Sequence, residues 1–172
     1  MDWVTWASDK TAALLLGPVP TLALVAGLLV WAGLSDLRRY LIPNAAVGLA
    51  AALGLVYQVQ VGGPAGSALL IAATVLAVGF LGFAIRLFGA GDAKLLAAVA
   101  LLAGPSEILP FLTQTLLIGG GLALLWLAAR PLRHGLVLAG FHVAAEPARQ
   151  LPYGVAIAGG GLLLIARLWP GL

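Results

Sequence analysis

The sequence contains no cysteine. This absence excludes disulfide bonds, thiolate metal sites and thiol nucleophiles, and with them the enzyme classes that depend on such groups. Charge is also scarce: 9% of the 172 residues are charged and 62% are hydrophobic, whereas about a quarter are charged in an ordinary soluble domain. A soluble chain of this length needs far more polar surface to cover its core. We therefore expect an integral membrane protein.

The basic excess is small, with nine Lys and Arg residues against six Asp and Glu residues. The basic residues stand singly or in pairs between apolar runs, and no platform of aromatic and basic residues accompanies them. They are typical of topology signals in the loops of a membrane protein. The expected partner is membrane lipid rather than nucleic acid.

Apolar segments separated by short polar turns predict one all-α domain over residues 1–172, a polytopic bundle of about six transmembrane helices. A helix needs about 20 residues to cross a hydrocarbon core of ~30 Å. Pro20 and Pro43 are expected to start helices, since proline is favoured in the first turn. The predicted spans are 20–38, 43–61, 65–88, 92–104, 107–129 and 151–169.

Six crossings place most of the basic residues in loops on one side of the membrane. Such loops are typically cytoplasmic, which predicts that both termini are external. The residues on the cytoplasmic side would be Arg38, Arg39, Arg86, Lys94, Arg130, Arg133 and Arg149, which leaves Lys10 and Arg167 opposite.

Two of the six acidic residues stand out. Asp2 and Asp9 in the polar leader, Glu107 in the outer turn and Glu146 in the last inner loop are interpreted as solvated loop charges. Asp36 and Asp92 instead lie at cytoplasmic helix ends. The fourth segment has 13 residues, which as a helix covers only ~20 Å, so Asp92 is expected below the inner membrane surface. Ionisable groups at that depth face a bundle interior or a water-filled cavity.

Two carboxyls at one depth can form a catalytic pair. Like charges a few Å apart cannot both ionise, so the pair would share one proton. The ionised member could then activate water while the protonated member polarises a peptide carbonyl. On spacing alone, the alternative that each aspartate marks a helix end stays open.

Three motifs resemble those of the type IV prepilin peptidase family, relatives of the GxGD aspartic peptidases. Residues 89–94 read GAGDAK, which resembles the family's GxGDxK signature and stands between two predicted spans. Residues 36–44 read DLRRYLIPN, similar to the first family motif, and residues 151–158 read LPYGVAIA, similar to the opening of the last helix. The resemblance covers about 20–172, nearly the whole chain.

The resemblance implies that Asp36 and Asp92 are the catalytic pair of a membrane endopeptidase without a cofactor. The implied substrate is a prepilin or pseudopilin precursor, cut where a short basic leader meets a hydrophobic helix, at the cytoplasmic face of the bacterial cytoplasmic membrane. Longer relatives carry a cysteine-containing amino-terminal domain. The chain therefore resembles the short form associated with tight-adherence (Flp-type) pili, and the N-methyltransferase activity of the longer members is left open.

Other residues around the pair are candidates for binding substrate or shaping the site. These candidates are Gly89, Gly91, Lys94, Pro43, Asn44, Pro152 and Tyr153. For Lys94 the alternative is a lysine that snorkels to the inner surface. For Pro43, Pro152 and Tyr153 the alternative is a plain helix start. The only two histidines, His134 and His142, have no acidic partner at ligand spacing, so no metal site is expected.

Two other functions remain open from the sequence. A proton-coupled transporter or channel would also use buried carboxylates, although no internal repeat supports it. A non-enzymatic assembly subunit would not need the aspartates at all. Whether the protein forms a homo-oligomer is also open.

Overall fold

The computed structural model describes residues 17–87, 89–138 and 152–169, with side chains described up to 128 in the second range. Within these ranges every regular element is an α-helix, which confirms the predicted fold class. The helices are α1 (Pro18–Arg39), α2 (Asn44–Gln60), α3 (Ala65–Ala84), α4 (Ala90–Leu138) and α5 (Tyr153–Leu168).

The helices have the length and surface of membrane spans. Three stretches are long and apolar enough to cross a membrane, namely Pro18–Arg39, Ala65–Ala84 and Ala90–Ala128, and α2 and α5 are shorter apolar helices. Large apolar side chains cover their outer faces: Leu70 and Leu117 are each 71% exposed. A surface of this kind suits lipid, because lipid tails are as apolar as leucine.

A single residue divides α4 into two arms. Gly104 has φ 60° and ψ −170°, a non-helical conformation that glycine adopts without the steric penalty of a Cβ. We name the arms α4a (90–103) and α4b (105–138). This break lies at the predicted end of the fourth span, 92–104, where Pro105 follows Gly104.

The chain reverses direction at this break. Along α4b, Glu107 pairs with Arg167 near the end of α5, whereas Gly119 packs against Tyr153 at the start of α5. The arm α4b is therefore antiparallel to α5.

The other helices fix the direction of α4a. Lys94 contacts Asn44 and Leu102 packs against Gly54, so α4a runs parallel to α2. Since α1 is antiparallel both to α2, through Thr21 and Gln60, and to α5, α4a runs parallel to α5. The arms α4a and α4b consequently form a helical hairpin.

A buried glutamine satisfies the backbone at this turn. Pro105 has no N–H group, so the carbonyl of Leu101 has no helical donor four residues ahead. The side chain of Gln58, 4% exposed, donates from Nε2 to the carbonyl oxygens of Leu101 at 3.1 Å and Leu102 at 2.9 Å. This contact joins α2 to the top of the hairpin, at the end of the bundle that we call the outer end.

Glycines bring α5 into close contact with its neighbours. Gly161 faces Leu29 of α1 and Val99 of α4a, and Gly160 faces Thr115 of α4b, at separations that leave no room for a Cβ. Small residues allow such close helix approach in membranes. The start of α5 is thereby held at the inner end of the bundle, opposite the hairpin turn.

Several helix bounds differ from the predicted spans. The first helix starts at Pro18 rather than Pro20, because both prolines fit in a first turn whose N–H groups have no helical acceptor. The third ends at Ala84 rather than at 88, with turn residues after it. The arm α4b continues to Leu138, beyond the predicted end at 129.

Glu107 was expected to be a solvated loop charge, and the structure shows otherwise. It lies in the first turn of α4b, and its Oε2 atom is 3.1 Å from Nε of Arg167. Only 21% of its side chain is exposed, since α5 packs beside it. Asp2, Asp9, Lys10, His142, Glu146 and Arg149 lie outside the described residues, as do the side chains of Arg130, Arg133 and His134.

Candidate active site

A cavity of about 730 Å³ opens at the inner end of the bundle. The ends of α1 and α3, the starts of α4 and α5 and the extended segment 41–43 surround it, so it is built from all parts of the chain. Its lining residues are Asp36, Tyr40, Leu41, Ile42, Asn44, Phe83, Arg86, Leu87, Gly89, Ala90, Gly91, Asp92, Lys94 and Tyr153.

Asp36 enters this cavity from the last turn of α1. The residue is 6% exposed, and its carboxyl lies at the start of α5, where the backbone amides of Gly154 and Val155 face it. Its Oδ2 atom is buried and makes no hydrogen bond of regular geometry with the described residues. The carboxyl is thus held at the positive end of a helix dipole.

Asp92 enters from the first turn of α4a. Its Oδ2 atom accepts a hydrogen bond of 2.9 Å from the backbone N–H of Gly89. An acidic residue at the third helical position that binds the N-cap amide is half of a capping box. The GxGD motif therefore fixes its own carboxyl, and a side chain at Gly89 would crowd it, since a Cβ there would lie 3.2 Å from Asp92 Oδ2.

The two carboxyls face one cavity and act on each other electrostatically. The two aspartates stand on different helices and are 56 positions apart in the sequence. Each carboxyl faces backbone amides at a helix start. Two acids held in this way can share a proton and divide the roles of base and acid.

Lys94 joins the second motif to the first. Its Nζ atom donates a hydrogen bond of 3.3 Å to Oδ1 of Asn44. Lys94 therefore bridges from α4a to the first residue of α2, across the wall of the cavity. Its position at the inner surface also allows it to meet a substrate.

The structure brings most of the predicted site residues together. Those that line the cavity are Asp36, Asn44, Gly89, Gly91, Asp92, Lys94 and Tyr153. Pro43 and Pro152 do not line it; each is the N-cap residue of the next helix, α2 and α5 respectively. The expected role of both prolines as helix starters agrees with this position.

Sequence reasoning missed two residues that pack beside the aspartates or their motifs, Ile42 and Gly154. Ile42 lies between Gly91 and Gly154, within contact distance of a Cβ built on either. Gly154 itself lies against the carboxyl of Asp36. Both residues stand inside motifs, but no spacing rule links positions 42 and 154, so no sequence signal singled them out.

The described residues offer little to bind a metal. Among them, no group of three or more His, Asp or Glu side chains could hold an ion. Two carboxyls that face one cavity are groups that can perform acid–base catalysis.

Comparison with known sequences gives one match. A family model described as the type IV leader peptidase family matches residues 23–124, which is more than half of the chain and includes both aspartates. No curated protein and no solved structure matches.

Proposed function

Since the chain belongs to the type IV leader peptidase family, we propose that it is an aspartic endopeptidase of the membrane whose catalytic pair is Asp36 and Asp92. One observation carries this proposal: two carboxyls from different helices face the same cavity at the inner end of the bundle. Hydrolysis of a peptide bond needs a base for water and an acid for the leaving amine, and this pair supplies both without a cofactor.

The reaction proceeds in two proton transfers. The ionised carboxylate takes a proton from water, whose oxygen attacks the scissile carbonyl, while the protonated carboxyl donates a hydrogen bond to the carbonyl oxygen. The resulting tetrahedral intermediate breaks its C–N bond when a proton passes from the pair to the leaving nitrogen. Because two nearby carboxylates cannot both be ionised, the pair holds the single proton that this cycle requires.

The proposed substrate is a prepilin or prepilin-like precursor with a short basic leader followed by a hydrophobic helix. The wall of the cavity combines apolar side chains, such as Phe83 and Leu87, with polar ones, such as Asn44 and Lys94. Such a mixture suits the junction of a polar leader with an apolar segment. We place the site at the cytoplasmic face of a bacterial cytoplasmic membrane, on the basis of the basic residues near this end.

The first prediction concerns the two carboxyls. Asp36→Asn and Asp92→Asn should each lower leader cleavage by about 10²- to 10⁴-fold, the usual contribution of a general acid or base. The double variant should be hardly slower than either single one, since residues that act as a unit are not additive. The measurement is the mobility shift of a purified prepilin precursor in detergent or liposomes.

Asparagine suits this test because it has nearly the volume of aspartate and keeps a carbonyl oxygen. At position 92 this oxygen can accept the hydrogen bond from Gly89, and at position 36 it can face the amides of Gly154 and Val155. The variants should therefore remain folded, which thermal unfolding in detergent would establish. Glu107→Gln is the matched control: it neutralises an acid at the opposite end of the bundle and should cleave normally. Cleavage by folded Asp36→Asn or Asp92→Asn at the wild-type rate would disprove the proposed function.

A further inference from the structure

The start of α5 has no cap from the side chain of its own N-cap residue. That residue is Pro152, and among the described residues no side-chain capping hydrogen bond is made there. The first N–H groups of a helix have no helical acceptor and need a partner from elsewhere. The carboxyl of Asp36, which comes from α1, faces the amides of Gly154 and Val155 and takes this place.

Only glycine fits at position 154 in this arrangement. A Cβ built on Gly154 would lie 2.8 Å from Asp36 Oδ2 and 2.9 Å from its Cγ, closer than a Cβ comes to any non-bonded atom. The backbone conformation of Gly154 is helical, so the requirement is for space and not for an unusual φ. Any side chain at this position must displace either the carboxyl or the helix.

Ile42 prevents the helix from moving away. Its Cδ1 atom would lie 2.8 Å from the same Cβ on Gly154, and its own Cβ lies 3.2 Å from a Cβ built on Gly91. Ile42 is therefore packed between the glycine that touches Asp36 and the glycine that precedes Asp92. A methyl group at 154 has no free space on this side, and the displacement falls on the carboxyl of Asp36.

We propose that Gly154 is a positioning residue for Asp36: the missing side chain lets the carboxyl lie against the first turn of α5, at the position that faces Asp92 across the cavity. This inference rests on the proposed function and adds to it a residue outside the part of the chain that matches the family. Gly154 does not touch the reacting atoms. It acts only through the placement of Asp36.

The test is Gly154→Ala, assayed for leader cleavage with kcat and KM measured separately. Misplacing a catalytic group by about 1 Å can cost about 100-fold in rate, so kcat should fall by about 10- to 100-fold. KM should stay within about twofold of the wild-type value, because the methyl group lies behind Asp36 and not on the substrate side. An unchanged kcat, or a raised KM with unchanged kcat, would overturn the proposal.

Gly159→Ala is the matched control on the same helix. A Cβ at Gly159 would meet only the tip of the flexible Ile118 side chain, at 3.2 Å, so its kcat should match that of the wild type. A fall in kcat equal to that of Gly154→Ala would show a general effect of packing at α5 and would overturn the proposal.

A double variant separates the two contacts of the new methyl group. Ile42→Val removes the Cδ1 atom that keeps α5 from moving away from Asp36, so Gly154→Ala with Ile42→Val should regain part of the kcat that Gly154→Ala loses. A double variant as slow as Gly154→Ala alone would contradict the step in which Ile42 directs the displacement onto Asp36.

A second variant tests the positioning of Asp36 by the start of α5 if Gly154→Ala does not fold. Val155→Pro removes one of the two amides that face Asp36, together with the hydrogen bond from that amide to the carbonyl of Pro152, and adds no group at position 154. Pro18 and Pro20 show that a first turn in this bundle accepts proline. Its kcat should fall with KM unchanged, and a wild-type kcat would refute the inference. If Asp36→Asn is inactive and Gly154→Ala is fully active, only this inference is refuted. If Asp36→Asn is active, the proposed function is refuted.

Discussion

At the scale of single residues, both proposed catalytic acids are placed by backbone amides at helix starts. Asp92 binds the amide of Gly89 within its own helix, and Asp36 faces the amides of a helix far along the chain. Amides are fixed by the helix and cannot rotate away as side chains can. The chain thus orients its two carboxyls without depending on other charged groups.

Lys94 carries the second prediction. Its hydrogen bond to Asn44 is exposed, and exposed contacts to a charged group contribute about 0.2–1 kcal/mol. A double-mutant cycle of Lys94→Met and Asn44→Ala, followed by thermal unfolding, should give a coupling energy in this range. Cleavage should fall by less than about tenfold, the equivalent of ~1.4 kcal/mol.

The outcome for Lys94→Met separates two roles. A modest fall shows that Lys94 shapes the cavity wall. A loss of cleavage as complete as that of Asp92→Asn, in a protein that still unfolds at the wild-type temperature, would instead place Lys94 in the chemistry.

At the scale of elements, the hairpin of α4a and α4b is the feature that sets the depth of the site. The arm 90–103 is about 14 residues long, which at 1.5 Å per residue is roughly 21 Å. A hydrocarbon core is ~30 Å thick. If the turn lies at the outer boundary, the inner end of α4a and Asp92 lie below the inner surface; this depth stays a prediction.

The third prediction concerns the contact that fixes this turn. Gln58→Leu replaces the amide by an apolar side chain of similar size and removes the donor that Gln58 provides to the carbonyls of Leu101 and Leu102. Unsatisfied buried groups cost about 1–3 kcal/mol, so the unfolding free energy in an SDS titration should fall by that amount.

Thr74→Val provides the matched control for this measurement. The hydroxyl of Thr74 donates to the carbonyl of Leu70 on the exposed face of α3, where the carbonyl keeps its helical partner. Its unfolding free energy should change by less than about 0.5 kcal/mol. Equal effects from both variants would show that Gln58 does not hold the turn.

The hydropathy pattern and the positions of glycine and proline predicted the helices but not the contacts between them. Gly104 and Pro105 indicated the break, because these two residue types act on their own backbone. The part played by Gln58 depends on a carbonyl 43 positions away, and that of Gly154 on a carboxyl more than a hundred positions away. Such contacts form only when the helices pack against each other. Composition and periodicity therefore do not predict them.

At the scale of the whole molecule, the structure separates two ends. Asp36, Asp92 and Lys94 lie at the inner end, and Gln58, Gly104 and Glu107 lie at the outer end. Six crossings with external termini remain a prediction.

The fourth prediction tests this sidedness. Reporter fusions after Val61, Gly104 and Leu172 should report an external location, and fusions after Tyr40 and His134 a cytoplasmic one, because basic residues favour the cytoplasm. A cytoplasmic signal after Gly104 would make the hairpin re-entrant and reverse the sidedness of every later part of the chain.

The position of the Asp36 carboxyl at the start of α5 has a consequence for biosynthesis. A ribosome completes α1 long before it reaches α5, and chains are made from the amino terminus at about 5–20 residues per second. During that interval the carboxyl of Asp36 has no partner at the position where it must act. The arm α4a, too short to span alone, has to enter the bilayer together with α4b. We therefore expect that the proposed catalytic pair reaches its final geometry only after α5 has inserted, and that a chain still on the ribosome does not yet cleave a substrate.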